Sequence, residues 1–183
     1  MLPRVLRHFK KMETAKAAVL TGLRGWPQNS LQHRAESGGW SALDVIEHLA
    51  LTEHFVVAAM RSNISNPRAV RVMDWLRNGI VMGAMVLPVR VRIPAGAGFV
   101  APTGRTADLT AIIDRWNTVR LDLAGFLNGV RESDLNGGVV RHPAGGWTTI
   151  EGALWFMRAH LRHHRYQVSR IGQRLRNEGS SPI

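Results

Sequence analysis

A chain of 183 residues (20.3 kDa) with 45% hydrophobic and 20% charged residues can bury one sizeable core, which excludes a collagen-like fibre, a coiled-coil rod and wholesale disorder. Cysteine is absent, so disulfides, thiolate zinc sites and a cysteine nucleophile are excluded, and histidine, carboxylate and hydroxyl groups are left for any chemistry. The net charge of +11 keeps a polyanionic partner in view, yet Arg4, Arg24, Arg61, Arg90, Arg115, Arg141 and Arg162 fall in different segments, with no basic run interleaved with aromatics; a solvated basic surface is preferred over a nucleic-acid site.

Helical periodicity dominates from the start. The basic segment 1–20 lacks an uninterrupted apolar stretch and a cleavage site, so it reads as helix and points to the cytoplasm. A first helix is predicted over residues 4–24, stopped by Gly25-Trp26-Pro27, and a second from just after Gly38-Gly39-Trp40 to Arg61. Residues 63–77 hold another turn or two. The apolar run 80–89 is interrupted by Pro88 and is far shorter than the ~20 residues a membrane span needs.

Residues 87–104, with Pro88, Pro94, Pro102, Gly96, Gly98 and Gly104, read as a long irregular crossover. Only residues 89–93 alternate as a strand would, so no sheet is predicted. The sequence Gly96-Ala97-Gly98-Phe99-Val100-Ala101 has dinucleotide-turn spacing, but prolines bracket it and no helix opens on the glycines, so it is set aside. A third helix is expected over residues 106–129 and a fourth over 148–176, with 177–183 as a loose tail. The segments Gly38-Gly39-Trp40-Ser41-Ala42-Leu43-Asp44 and Gly145-Gly146-Trp147-Thr148-Thr149-Ile150-Glu151 echo each other as helix starts. Ser41 and Thr148 are the expected N-caps, with Asp44 and Glu151 at capping-box spacing. The fold class is therefore all-α: a four-helix bundle in a single domain, residues 1–183, with a long crossover between helices two and three.

Histidines interrupt its core stripes. On helix four, Ile150, Ala153, Met157, His160, His164, Gln167 and Ile171 follow one seam, with apolar residues at both ends and three polar side chains in the middle. His160 and His164 stand one turn apart on one face. On helix two, Val45, His48, Thr52, Phe55 and Ala59 again put a histidine where a hydrophobe is wanted. Burying unpartnered imidazoles costs on the order of a few kcal/mol each, and protonating them costs more. One divalent cation held by His48, His160 and His164 removes that cost, and two ordinary helical histidines plus a core histidine are the alternative. His163 is off the seam, His8, His33 and His54 read as surface or core-edge residues, and His142-Pro143 reads as a loop turn near the mouth of any site. Gln167 either orients a ligand or hydrogen-bonds across the bundle. Asp44, Glu47 and Glu53 could act around the metal, although a solvated helix edge or a capping role is preferred for Asp44 and Glu47.

Gly39-Trp40-Ser41 followed by Glu47-His48-Leu49, then His142-Pro143 with Gly146-Trp147-Thr148, and finally His160-Leu161-Arg162-His163-His164-Arg165-Tyr166-Gln167 resemble the DinB/YfiT superfamily over nearly the whole chain. The resemblance implies a four-helix bundle of that type in which His48, His160 and His164 bind a divalent metal, most plausibly Zn²⁺ or Ni²⁺ as purified. It also implies a small-molecule substrate, a homodimer, and either S-transfer using a low-molecular-weight thiol or hydrolysis. The apolar residues 73–89 are a candidate contact surface for that dimer, and burial within the monomer explains them equally well. A non-catalytic metal- or ligand-binding module is the alternative, and a basic nucleic-acid-binding protein ranks last.

Overall fold

A computed structural model describes residues 1–34, 39–86, 100–103 and 108–177. Long helices α1 (Pro3–Thr21), α3 (Ala42–Asn63), α5 (Leu109–Asn128) and α6 (Ile150–Asn177) form the bundle. Two shorter ones, α2 (Gln28–Gln32) and α4 (Val72–Val86), lie between them, and a 3-10 turn (Glu132–Leu135) follows α5. Arg4 meets Glu151 at the start of α6, and Val168 faces Gly22 just past α1, so α1 and α6 run in the same direction. No described helix is long and apolar enough to cross a membrane. The strand-like residues 89–93, the paired glycines Gly96 and Gly98, most of the expected crossover and the tail 178–183 lie outside the described residues.

Local chemistry sets the ends of the helices. At α3 the Asp44 N–H donates to Ser41 Oγ (3.1 Å) and the Ser41 N–H donates to Asp44 Oδ2 (2.8 Å), a full capping box that Arg34 closes by donating to Asp44 Oδ1 at 2.7 Å. At α6 the expected cap moves by one residue. Thr148 lies in a strand, and Thr149 Oγ1 accepts the Gly152 N–H at 3.2 Å, while Glu151 takes Arg4 of α1 instead of closing a box. The reason is a two-stranded antiparallel hairpin, β1 (Val140–His142) with β2 (Gly146–Thr148), which sequence reading did not anticipate. Strands of three residues are too short to show a period of two. Gly146, at φ +83°, turns the chain where a Cβ would collide with the Asp74 carboxylate.

Two apolar clusters fill the bundle. Val56, Met60, Leu123, Leu127, Leu154 and Met157 belong to one, and Ile46, Leu49, Trp116, Leu161, Val168 and Ile171 to the other. Along α3, α5 and α6 the buried polar residues His48, Thr52, Glu53, Arg120, His160 and His164 fall at the junction of the two clusters. Phe55, expected on the α3 core stripe, is 55% exposed, and Val56 is buried in its place. α4 starts later and runs further than the expected turn over residues 63–77. Its polar side faces the protein: Asp74 accepts the Arg71 N–H, and Asn78 donates to the Trp147 carbonyl. Val72, Met73, Trp75, Leu76 and Ile80 face outward.

Candidate metal centre

α3 brings His48, and α6 brings His160 and His164, to one point inside the bundle, where all three side chains are buried. His160 Nε2 lies 3.1 Å from His48 Nε2 and 3.0 Å from His164 Nε2. The outer nitrogens settle the tautomers. His48 Nδ1 is 2.6 Å from the Val100 carbonyl oxygen and His164 Nδ1 is 2.7 Å from Gln167 Oε1. Both oxygens only accept, so each Nδ1 carries the proton and each Nε2 presents a lone pair. His160 Nε2, with one proton at most, cannot satisfy both.

A divalent ion at the ~2.0–2.1 Å typical of imidazole nitrogen gives ligand N···N edges of about 2.9–3.4 Å between right-angle and tetrahedral arrangements. The two observed edges, 3.0 and 3.1 Å, lie within that range. The third pair, His48 and His164, lies within 4.8 Å, so the fit rests on those two edges and on the donor chemistry: three buried neutral imidazoles suit a divalent cation. Aromatic rings back the cluster: Trp40 stacks on His164 (6.1 Å) and tilts against His48 (4.8 Å), and Phe156 stacks on His160 (5.4 Å).

Burial keeps these imidazoles neutral. Desolvation pushes His48 down to about 4 and His164 down to about 3, and it holds His160 well below the ordinary value, with the neighbouring histidines adding to the shift on His160 and His164. A histidine that stays neutral when folded but protonates near its ordinary ~6.5 when unfolded contributes stability that is fully present above that pH and is lost as pH falls toward the folded value. In the metal-free protein His48 and His164 are thus expected to withdraw about 2 kcal/mol each between pH 7 and pH 5, lowering Tm by roughly 10 °C. Thermal melts of chelator-treated protein check this. A Tm that stays flat over that range would mean the two histidines titrate normally.

The other candidates fall elsewhere. His163 packs at right angles to His164 (5.2 Å) but contributes no nitrogen to the cluster. His142 sits in β1, where its Nδ1 accepts the Ala144 and Gly145 N–H groups, and its ring rests on Phe156. His8 approaches Glu151, His33 is half-buried and His54 is exposed against Phe55. Gln167 touches His164 and thus belongs to the site. Asp44 caps α3 as expected, but Glu47 is no solvated edge residue: it is buried and accepts two hydrogen bonds from Thr103. Glu53 is committed to Arg120 and Trp116. Trp40, Phe156 and the Val100 carbonyl are the parts that sequence reasoning missed. Trp40 entered the sequence reading only within the Gly39-Trp40-Ser41 helix start, with no contact to the histidines assigned to it.

A family model described as the DinB superfamily matches residues 11–168. Among solved structures, YfiT from Bacillus subtilis, described as a probable metal-dependent hydrolase with an unusual four-helix bundle topology, is similar with a TM-score of 0.58 and 15% identity, over 96% of this chain and 90% of that one. At that identity the likeness speaks for the fold. No curated protein matches the sequence.

Proposed function

Because the chain belongs to the DinB superfamily, we propose that it is a divalent-metal-dependent enzyme in which His48, His160 and His164 hold one cation. The observation that carries this reading is the convergence of three buried imidazole nitrogens, with no carboxylate among the described residues in the group. A cation held by three neutral ligands keeps its full charge and would supply Lewis acidity toward a water or a small thiol in the positions left free, with Zn²⁺ or Ni²⁺ the ions expected after purification. The Val100 carbonyl and the Gln167 amide hold protons on the outer nitrogens, aiming the inner lone pairs, and Trp40 and Phe156 keep water from the backs of the rings.

The cysteine-free chain has no thiol of its own, so a thiol nucleophile would come from outside, as would a water held by the cation. Water gives hydrolysis, which the description of YfiT supports; a low-molecular-weight thiol gives S-transfer to an electrophile. A screen of the metal-loaded protein against electrophiles with and without small thiols, beside an ester and amide panel, separates them. Turnover that needs the thiol and vanishes in His164→Ala selects the transferase, and thiol-independent turnover lost in the same variant selects the hydrolase. No turnover in either arm overturns the enzyme reading in favour of a metal-binding module. Pairing of Arg4, Arg34, Arg61 and Arg131 with carboxylates supports a solvated basic surface over a nucleic-acid site.

We further propose that two copies pair through α4. Trp75 is 71% and Ile80 73% exposed on a helix whose Asp74 and Asn78 face inward, an arrangement that leaves an outer face that is apolar except for Arg77. Among the described residues nothing lies within 4 Å of a Cβ placed on Gly79 or Gly83, which would let a second α4 approach closely across a two-fold axis. Sedimentation at micromolar concentration is expected to give twice the 20.3 kDa chain mass, and Trp75→Asp with Ile80→Asp to give the chain mass. A wild-type monomer would sink the pairing.

A further inference from the structure

We propose that Glu47 and Thr103 form a latch that positions His48, a role that rests on the metal reading above. His48 presents its Nε2 lone pair inward while its Nδ1 proton is held by the Val100 carbonyl, 2.6 Å away, with Thr52 Oγ1 a longer second contact at 3.5 Å. Val100 is not part of a helix or strand, so something must keep its carbonyl in place. Three residues on, Thr103 is fixed twice to one side chain: its N–H donates to Glu47 Oε2 at 2.9 Å and its Oγ1–H to Glu47 Oε1 at 2.6 Å. Both donors of one residue thus meet both oxygens of one carboxylate. Glu47 is buried, and Arg115 adds a positive charge 4.0 Å from Oε1.

The link between anchor and carbonyl is stiff. Pro102 has a fixed φ, and Ala101, preceding a proline, is restricted to extended conformations, so Thr103 and Val100 move together. Glu47 and His48 are consecutive residues of α3, so the carboxylate that anchors the segment and the imidazole that the segment orients ride on the same capped helix. Glu47 is a positioning residue here: its oxygens point to Thr103, and it takes no place among the converging nitrogens.

The test compares Thr103→Val, which keeps the N–H and removes the hydroxyl donor at an exposed position, with Thr103→Ser, which keeps both donors, and Glu47→Ala, which removes the acceptor. Two quantities are read: Zn²⁺ affinity by competition with a chelator, and the His48 tautomer in the metal-free protein by ¹⁵N–¹H NMR of the imidazole nitrogens. Thr103→Val is expected to bind Zn²⁺ about 10-fold more weakly and Glu47→Ala up to about 100-fold more weakly, with Thr103→Ser like wild type. His48 is expected to be purely Nδ1–H in wild type and a tautomer mixture in Glu47→Ala. Wild-type affinity in both Thr103→Val and Glu47→Ala would overturn the latch, as would weakened binding with the His48 tautomer unchanged. If wild type itself bound no Zn²⁺, the metal reading would fall separately, and an unchanged tautomer in Glu47→Ala would still overturn the latch.

Discussion

His160→Ala is expected to cut Zn²⁺ affinity by about two to three orders of magnitude and to leave the purified protein without metal. The size follows from sharing: structural sites with four ligands bind with roughly 10–16 kcal/mol, or about 3 kcal/mol per ligand. His160 is the residue to remove because both close nitrogen–nitrogen approaches meet at its Nε2. Stability gives a second readout. Zn²⁺ at 100 times Kd should stabilise wild type by about 2.7 kcal/mol, visible as a rise in Tm of several degrees, and the variant should show no rise. His163→Ala is the matched control, since its ring touches His164 yet its nitrogens stand outside the cluster. Equal metal content in wild type and His160→Ala would remove His160 from the site.

Periodicity does not set the level at which two stripes meet, which the resemblance to the DinB/YfiT superfamily implied. What was legible without it is the inward placement of His48, His160 and His164, because a histidine at a core position faces inward in any bundle. The cap at Ser41 was legible for the same reason, being settled within four residues. The Thr148 cap was misplaced because its backbone is claimed by a hairpin partner, Val140, which local sequence does not reveal. Phe55 was assigned inward because one stripe was drawn on a helix that is buried on most of its circumference, and Val56 fits the same stripe one residue on. One signal was present and unused. Glu53 lies on the apolar arc Ile46, Leu49, Glu53, Val57, Met60 of α3, and Arg120 lies on the arc Ile112, Trp116, Arg120, Leu123, Leu127 of α5. A carboxylate and a guanidinium, each interrupting a core stripe, imply each other as the histidines do.

Arg120→Met is expected to destabilise the protein by about 3–5 kcal/mol, the largest loss of fold stability predicted for any single substitution here. Arg120 is only 5% exposed and Glu53 1%. The guanidinium donates from Nε to Glu53 Oε2 at 2.6 Å and from Nη2 to Glu53 Oε1 at 2.7 Å, while Nη1 reaches Glu13 Oε1 at 2.6 Å. The Trp116 indole N–H adds a further bond to Glu53 Oε2 at 2.7 Å, so α1, α3 and α5 are tied at one buried point. Attraction and desolvation nearly cancel while both charges are present, and burial raises the cost of leaving one alone. Removing Arg120 leaves Glu53 with the Trp116 indole as its one hydrogen-bond donor among the described residues and the buried Lys16 as the nearby cation. The decisive comparison is the double variant Arg120→Met with Glu53→Met, expected to recover much of the loss because neither member of the pair is left alone and the methionines fill the space, while buried Lys16 keeps its hydrogen bond to Asn117. Chemical denaturation of the single and double variants gives the coupling. Additive losses in the double variant would mean that the two residues act independently and that the ion pair is not what joins these helices.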